Sequence, residues 1–164
     1  MLQKTKQAQL HLTRLTAPGR ITKEISLKDG ELHTDSSPQV YAGTGEVQKI
    51  PPELEALGEV MGSVTPNRCL LYGVPAGGLE RFRLTTERRR SPDDPPDCIT
   101  RSRANFCWPH DIAVLLLDHD ASDGELWEAS DLAKEVTQAV PAFKGQRYLV
   151  RPSPSSYLRG PDGK

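Results

Sequence analysis

The sequence predicts a mixed α/β or α+β domain, on three observations. Residues 112–117 (IAVLLL) form an unbroken apolar run. Leu126, Ala129, Ala133, Val136 and Val140 then recur at helical spacing, and residues 146–150 (QRYLV) return to an extended pattern. Two strands joined by a helix make a β-α-β unit, and a right-handed crossover places both strands in one sheet. At 164 residues the chain has room for one domain with a core of its own.

The elements follow in order. Residues 1–17 are polar and end at Pro18-Gly19, which predicts a flexible arm or short helix over residues 1–19 and a domain over residues 20–164. Residues 20–27 (RITKEISL) alternate as a strand does. Asp29-Gly30 marks a hairpin turn, and residues 31–34 return from it. Residues 39–50 read as extended. Pro51-Pro52 opens a helix carrying Leu54, Leu57, Val60 and Met61, closed by Gly62 and Pro66. Residues 69–72 (CLLY) suit a short buried strand, and Gly77-Gly78 a turn. The stretch SPDDPPD at residues 91–97 is an exposed loop. The run at 112–117 suits a central strand covered on both faces. In the helix after it, Ser122 and Glu125 have capping-box spacing, and Pro141 ends it.

Composition narrows the function classes. With 21 Lys+Arg against 22 Asp+Glu the net charge is −1, so bulk charge does not drive the chain onto a polyanion. No apolar run approaches the roughly 18 residues that span a bilayer, and the first 15 residues lack the apolar stretch of a secretory signal. Three cysteines, Cys69, Cys98 and Cys107, fit neither a disulfide framework nor a zinc site and point to a reducing cytoplasm.

Three features carry chemistry. Asp118-x-Asp120 follows the apolar run. On a strand the two side chains share a face with Cα atoms roughly 6.5–7 Å apart, where a divalent cation relieves their repulsion. Such acids hold metals for in-line phosphoryl transfer, and they also occur as a solvated strand end. Residues 151–159 (RPSPSSYLR) offer the hydroxyls of Ser153, Ser155 and Ser156 between Arg151 and Arg159. They read either as a triphosphate cradle or as an ordinary Ser/Pro loop. Arg81, Arg83, Arg101 and Arg103 read either as nucleic-acid phosphate contacts or as a solvated face paired with Glu80, Glu87, Asp93, Asp94 and Asp97. Phe106 and Trp108 read as core or as base-stacking residues.

The segment TRSRANFCWPHDIAVLLLDHD, followed by a helix and RPSPSSYLRGPDGK, resembles the primase-polymerase module of phage and plasmid replication proteins. These are members of the archaeo-eukaryotic primase superfamily, often joined to a virulence-associated-E-like or superfamily 3 helicase region. ITKEISLKDGELHTDSSPQVYAGTGEVQKI and CLLYGVPAGGLERFRLTTE extend the resemblance over residues 20–164. The resemblance implies an α+β fold with an RRM-like core, incomplete at the C-terminus, and a metal-dependent DNA primase or polymerase. It also implies Mg²⁺ or Mn²⁺ on Asp118 and Asp120, with DNA template and nucleoside triphosphates as partners. The family's Ser-x-His element has no histidine here: Ser155-Ser156-Tyr157 stands in its place. Its third acidic motif is expected beyond Lys164, so the chain alone is expected to be weak or inactive. The alternative is a non-catalytic nucleic-acid-binding remnant of the same fold. A phosphatase using Asp118 as nucleophile is a third reading, disfavoured because more than a hundred residues precede that strand.

Overall fold

The computed structural model describes residues 8–36, 39–109, 112, 114–116 and 128–151. In chain order they form β1 (Leu10–Thr16), β2 (Glu24–Lys28), β3 (Glu31–Asp35), β4 (Gly43–Ile50), α1 (Leu54–Gly62), β5 (Arg68–Leu71), β6 (Val74–Pro75), β7 (Arg81–Thr85), β8 (Cys98–Thr100), β9 (Phe106–Cys107) and α2 (Ala129–Ala139). The class is α+β, with most of the core in sheet. The chain divides into two units, Met1–Thr22 with Ser36–Leu115, and Lys23–Asp35 with Leu116–Lys164.

The first unit is a five-stranded sheet in the order β5-β1-β4-β7-β8. Neighbours are antiparallel except β7 and β8, which run parallel. β4 and β5 flank β1 and are both antiparallel to it, so β4-α1-β5 is a split β-α-β unit with β1 threaded between its strands.

At Leu10–Thr16, β1 corrects the expectation of a flexible arm over residues 1–19, of which residues 1–7 lie outside the described residues. Leu10 and Leu12 face one side of the sheet and pack with Ile50 beneath Leu57 of α1. Leu15 faces the other side and packs with Phe82, Leu84 and Ile99. Thr13 shares the Leu15 side and is fully buried, its hydroxyl donating to the Gly73 carbonyl at 2.7 Å. A satisfied hydroxyl hides without the penalty of an unmade hydrogen bond. The two faces are covered at opposite ends of the strand, so LHLTRLT shows neither clean alternation nor a helical stripe.

On the Leu15 side the Phe106 ring meets Phe82 edge to face, with centroids 5.6 Å apart. The Phe82 ring lies over Gly45: a Cβ there would collide with Phe82 Cζ. Glycine is required because the ring fills that space. Gly45→Ala is expected to destabilise the protein by about 1–3 kcal/mol through overpacking. Chemical denaturation checks it, and adding Phe82→Leu is expected to return part of the loss.

In the second unit β2 and β3 pair from Glu24↔Asp35 to Lys28↔Glu31. The turn between them has φ of 52° at Asp29 and 84° at Gly30, the left-handed pair that a two-residue hairpin needs and that the Asp-Gly dipeptide predicts. α2 turns Leu132, Ala133 and Val136 to its half-buried side. Leu126 and the Ser122–Glu125 cap lie outside the described residues.

The expected β-α-β unit is not formed among the described residues. Of residues 112–117, Ile112 makes an isolated parallel bridge to Leu10, and Val114 packs with it against the α1 cluster. Leu115 and Leu116 are 64% and 58% exposed. The reason lies in the sheet: β4 occupies one edge of β1 throughout, and β5 occupies the other from Thr13 to Thr16. On that edge positions 10–12 are left, and among the described residues of the run Ile112 makes an edge contact there. Residues 146–150 are irregular and exposed, with no partner strand among the described residues. No described helix is long and apolar enough to cross a membrane.

Candidate nucleic-acid interface

α1 covers only the Leu10, Leu12 and Ile50 rows of its sheet face. Beyond them, among the described residues, the same face carries half-buried and exposed side chains. Cross-strand partners share a face, and the registers place Arg14 opposite Glu46, Glu46 opposite Arg81, Thr16 opposite Thr44, and Thr44 opposite Arg83. These six side chains and Asp97 line an open cleft of about 400 Å³.

Its electrostatics centre on Glu46. Arg14 Nη2 donates to Glu46 Oε2 at 2.8 Å, and Arg81 Nη2 donates to Oε1 at 3.0 Å, so one carboxylate bridges two guanidiniums. The hydrogen bond from Arg14, joined by Arg81, holds the Glu46 carboxyl below its usual pKa, against the opposing effect of burial. A lowered folded-state pKa means the stabilisation is present above the ordinary value of 4.5 and is lost as pH falls through the folded one. Arg83 Nη2 stands 3.6 Å from Asp97 Oδ1, an ion pair too long for a hydrogen bond. The Arg81 and Arg83 side chains are 82% and 57% exposed, so water already screens these pairs. Three arginines against two carboxylates leave the cleft net positive. Arg68 lies opposite Thr16 on the same face, and its Nε is buried with no hydrogen-bond partner among the described residues.

The four arginines of the sequence reading do not form one patch. Arg81 and Arg83 stand on the open face. Arg101 and Arg103 are exposed in the turn between β8 and β9. Arg101 lies near Cys69, opposing the rise that burial imposes on that thiol, and Cys69 shares the Leu15 side of the sheet. Glu87 accepts the Thr100 hydroxyl, Asp94 accepts the Ser91 amide, and Glu80 pairs with Lys49. Of the proposed acidic partners, Asp97 alone has a described ion pair with one of the four candidate arginines. Phe106 is core, whereas Trp108 is 60% exposed. Burial also pushes the Cys98 thiol up, which suits an inert side chain.

Arg14 and Glu46 escaped the sequence reading, because only strand register brings them to Arg81. Arg151 is exposed in the second unit, after α2. Asp118, Asp120, Ser153, Ser155, Ser156 and Arg159 lie outside the described residues. Among the described residues no three His, Cys, Asp or Glu side chains gather as a metal site. No protein-family model matches the chain, and neither a curated protein nor a solved structure matches it.

Proposed function

We propose that the chain binds single-stranded DNA on the open half of its sheet. The observation that carries this reading is the Arg14–Glu46–Arg81 bridge, half-buried at Arg14 and Glu46 and exposed at Arg81, with the exposed Arg83 beside it. Guanidinium forks match phosphate oxygens, and Thr16 and Thr44 add hydroxyls between them. The six side chains include no aromatic, so the strand is held by its backbone and sequence preference is weak. Glu46 competes with phosphate for Arg14 and Arg81. Glu46→Gln is therefore expected to tighten binding severalfold, and Arg81→Glu with Arg83→Glu to weaken it by about tenfold or more, as reversed charges in a phosphate interface do. Fluorescence anisotropy with a labelled oligonucleotide checks both. Unchanged affinity in the two variants would refute the assignment.

The narrower form of this reading is an RRM-like primase-polymerase module. The split β4-α1-β5 unit around β1 supports it, as does Asp118-x-Asp120 a few residues past the Ile112 bridge. In that form Asp118 and Asp120 hold Mg²⁺ or Mn²⁺. Arg151, Ser153, Ser155, Ser156 and Arg159 hold the incoming triphosphate, and a helicase region is a partner.

A further inference from the structure

Among the described residues β2 has no partner strand but β3, so the hairpin keeps an open edge. Its two-residue loop makes Lys28 and Glu31 the hydrogen-bonded pair next to the turn. Ser26 with His33 and Glu24 with Asp35 follow by the alternation of an antiparallel ladder. The amides and carbonyls of Ile25 and Leu27 therefore point outward along the open edge. Leu27 is exposed, as is Leu32 opposite it, and Ile25 is half-buried. A two-stranded hairpin is marginal in water by itself and gains from a further strand.

We propose that this edge pairs antiparallel with the same edge of a second copy of the chain, about a two-fold axis through Ser26. Residues 23–29 read KEISLKD. Turned on itself about Ser26, the segment sets Ile25 against Leu27, Glu24 against Lys28 and Lys23 against Asp29, each on both sides of the axis. Ile25 and Leu27 carry the outward amides, so this register hydrogen-bonds them to each other across the two copies. Sliding the copy by two residues keeps outward amides facing but sets Leu27 against Lys23, or Ile25 against Asp29, and the match is lost. Lys23, Lys28 and Asp29 are exposed. Glu24 is also engaged within its own chain, and the fit does not need it idle: one carboxylate serves two cations, as Glu46 serves Arg14 and Arg81. β3 (ELHTD) has an acid at each end, so an antiparallel copy there meets acid with acid. The pairing thus closes as a symmetric dimer and does not grow from edge to edge.

The dimer uses none of the arginines of the open face, so its test is independent of DNA binding. Each copy contributes residues 23–29, against the roughly 20–30 residues a side of a standard interface, so a weak dimer is expected, with Kd on the order of 100 µM. Sedimentation velocity of the full chain, from well below to well above that concentration, is expected to show monomer giving way to dimer. Lys28→Glu brings acid against Glu24 of the copy on both sides of the axis and is expected to weaken the dimer about tenfold or more. Lys28 is exposed, so its replacement leaves the fold intact, which circular dichroism confirms. A cross-link reads the register without touching a charge. Ser26 and its copy form a non-hydrogen-bonded pair with Cα atoms about 4.5 Å apart, within reach of a disulfide. Ser26→Cys, made with Cys107→Ser to remove the exposed native thiol, is expected to link two chains under mild oxidation far faster than His33→Cys in the same background. A chain that stays monomeric throughout leaves the edge to a strand of another protein and overturns the proposal. So does a dimer that Lys28→Glu leaves untouched, or a Ser26→Cys chain that links no faster than the His33→Cys control.

Discussion

Leu12→Ala is expected to lower the unfolding free energy by about 2–5 kcal/mol, the range for emptying a well-packed leucine site. Leu12 is fully buried in β1, paired with Gln48 of β4 and packed with Ile50 and Leu57 of α1. Truncation opens a cavity where Ile50 and Leu57 meet, and the pairing with β4 limits how far it can collapse. Against a typical total of about 5–15 kcal/mol this is a large fraction. Urea denaturation followed by far-UV circular dichroism gives the number. Leu27→Ala is the control: Leu27 is 67% exposed in the hairpin and its loss is expected to stay within about 0.5 kcal/mol. An arm lying outside the core would make Leu12→Ala equally silent, and that result would contradict the place of β1 in the sheet.

The second large effect concerns Asp118 and Asp120. If they hold divalent metal for nucleotidyl transfer, Asp118→Ala with Asp120→Ala is expected to cut metal-dependent nucleotide incorporation by roughly a hundredfold or more. That is the scale on which a single electrostatic stabiliser of a transition state acts. DNA binding at low salt is expected to persist in the same variant, because the arginine face uses neither residue. Incorporation is expected to need Mg²⁺ or Mn²⁺ and to stop on chelation. Equal incorporation by variant and wild type would sink the roles given to the two aspartates. No incorporation by the wild type would remove the enzymatic half of the reading and leave DNA binding to its own test.

What the sequence disclosed was local. Asp29-Gly30 carries its own turn geometry, and α1 carries its own stripe of Leu54, Leu57 and Val60. CLLY is apolar enough to mark β5 within a residue. What it hid depended on distant partners. RFRLT in β7 alternates perfectly, with Phe82 and Leu84 buried and Arg81 and Arg83 exposed, yet its arginines read as a charge cluster. The apolar run at 112–117 misled in the opposite direction: hydrophobicity favours burial, yet among its described residues Ile112 bridges only Leu10, and Leu115 and Leu116 are exposed. The Glu46 bridge joins Arg14 and Arg81 from three different strands, and no short-range pattern encodes a register. Asp118, Asp120 and the Ser153–Arg159 residues were readable as chemistry alone, since they lie outside the described residues.

The salt dependence of single-stranded DNA binding tests the account most directly. Each phosphate neutralised on a single strand contributes about −0.7 to the slope of log affinity against log salt. Arg14, Arg81 and Arg83 together predict a slope near −2 for the wild type, falling toward zero when Arg81 and Arg83 become glutamates. A wild-type affinity indifferent to salt, or a slope that the two substitutions leave unchanged, would contradict it.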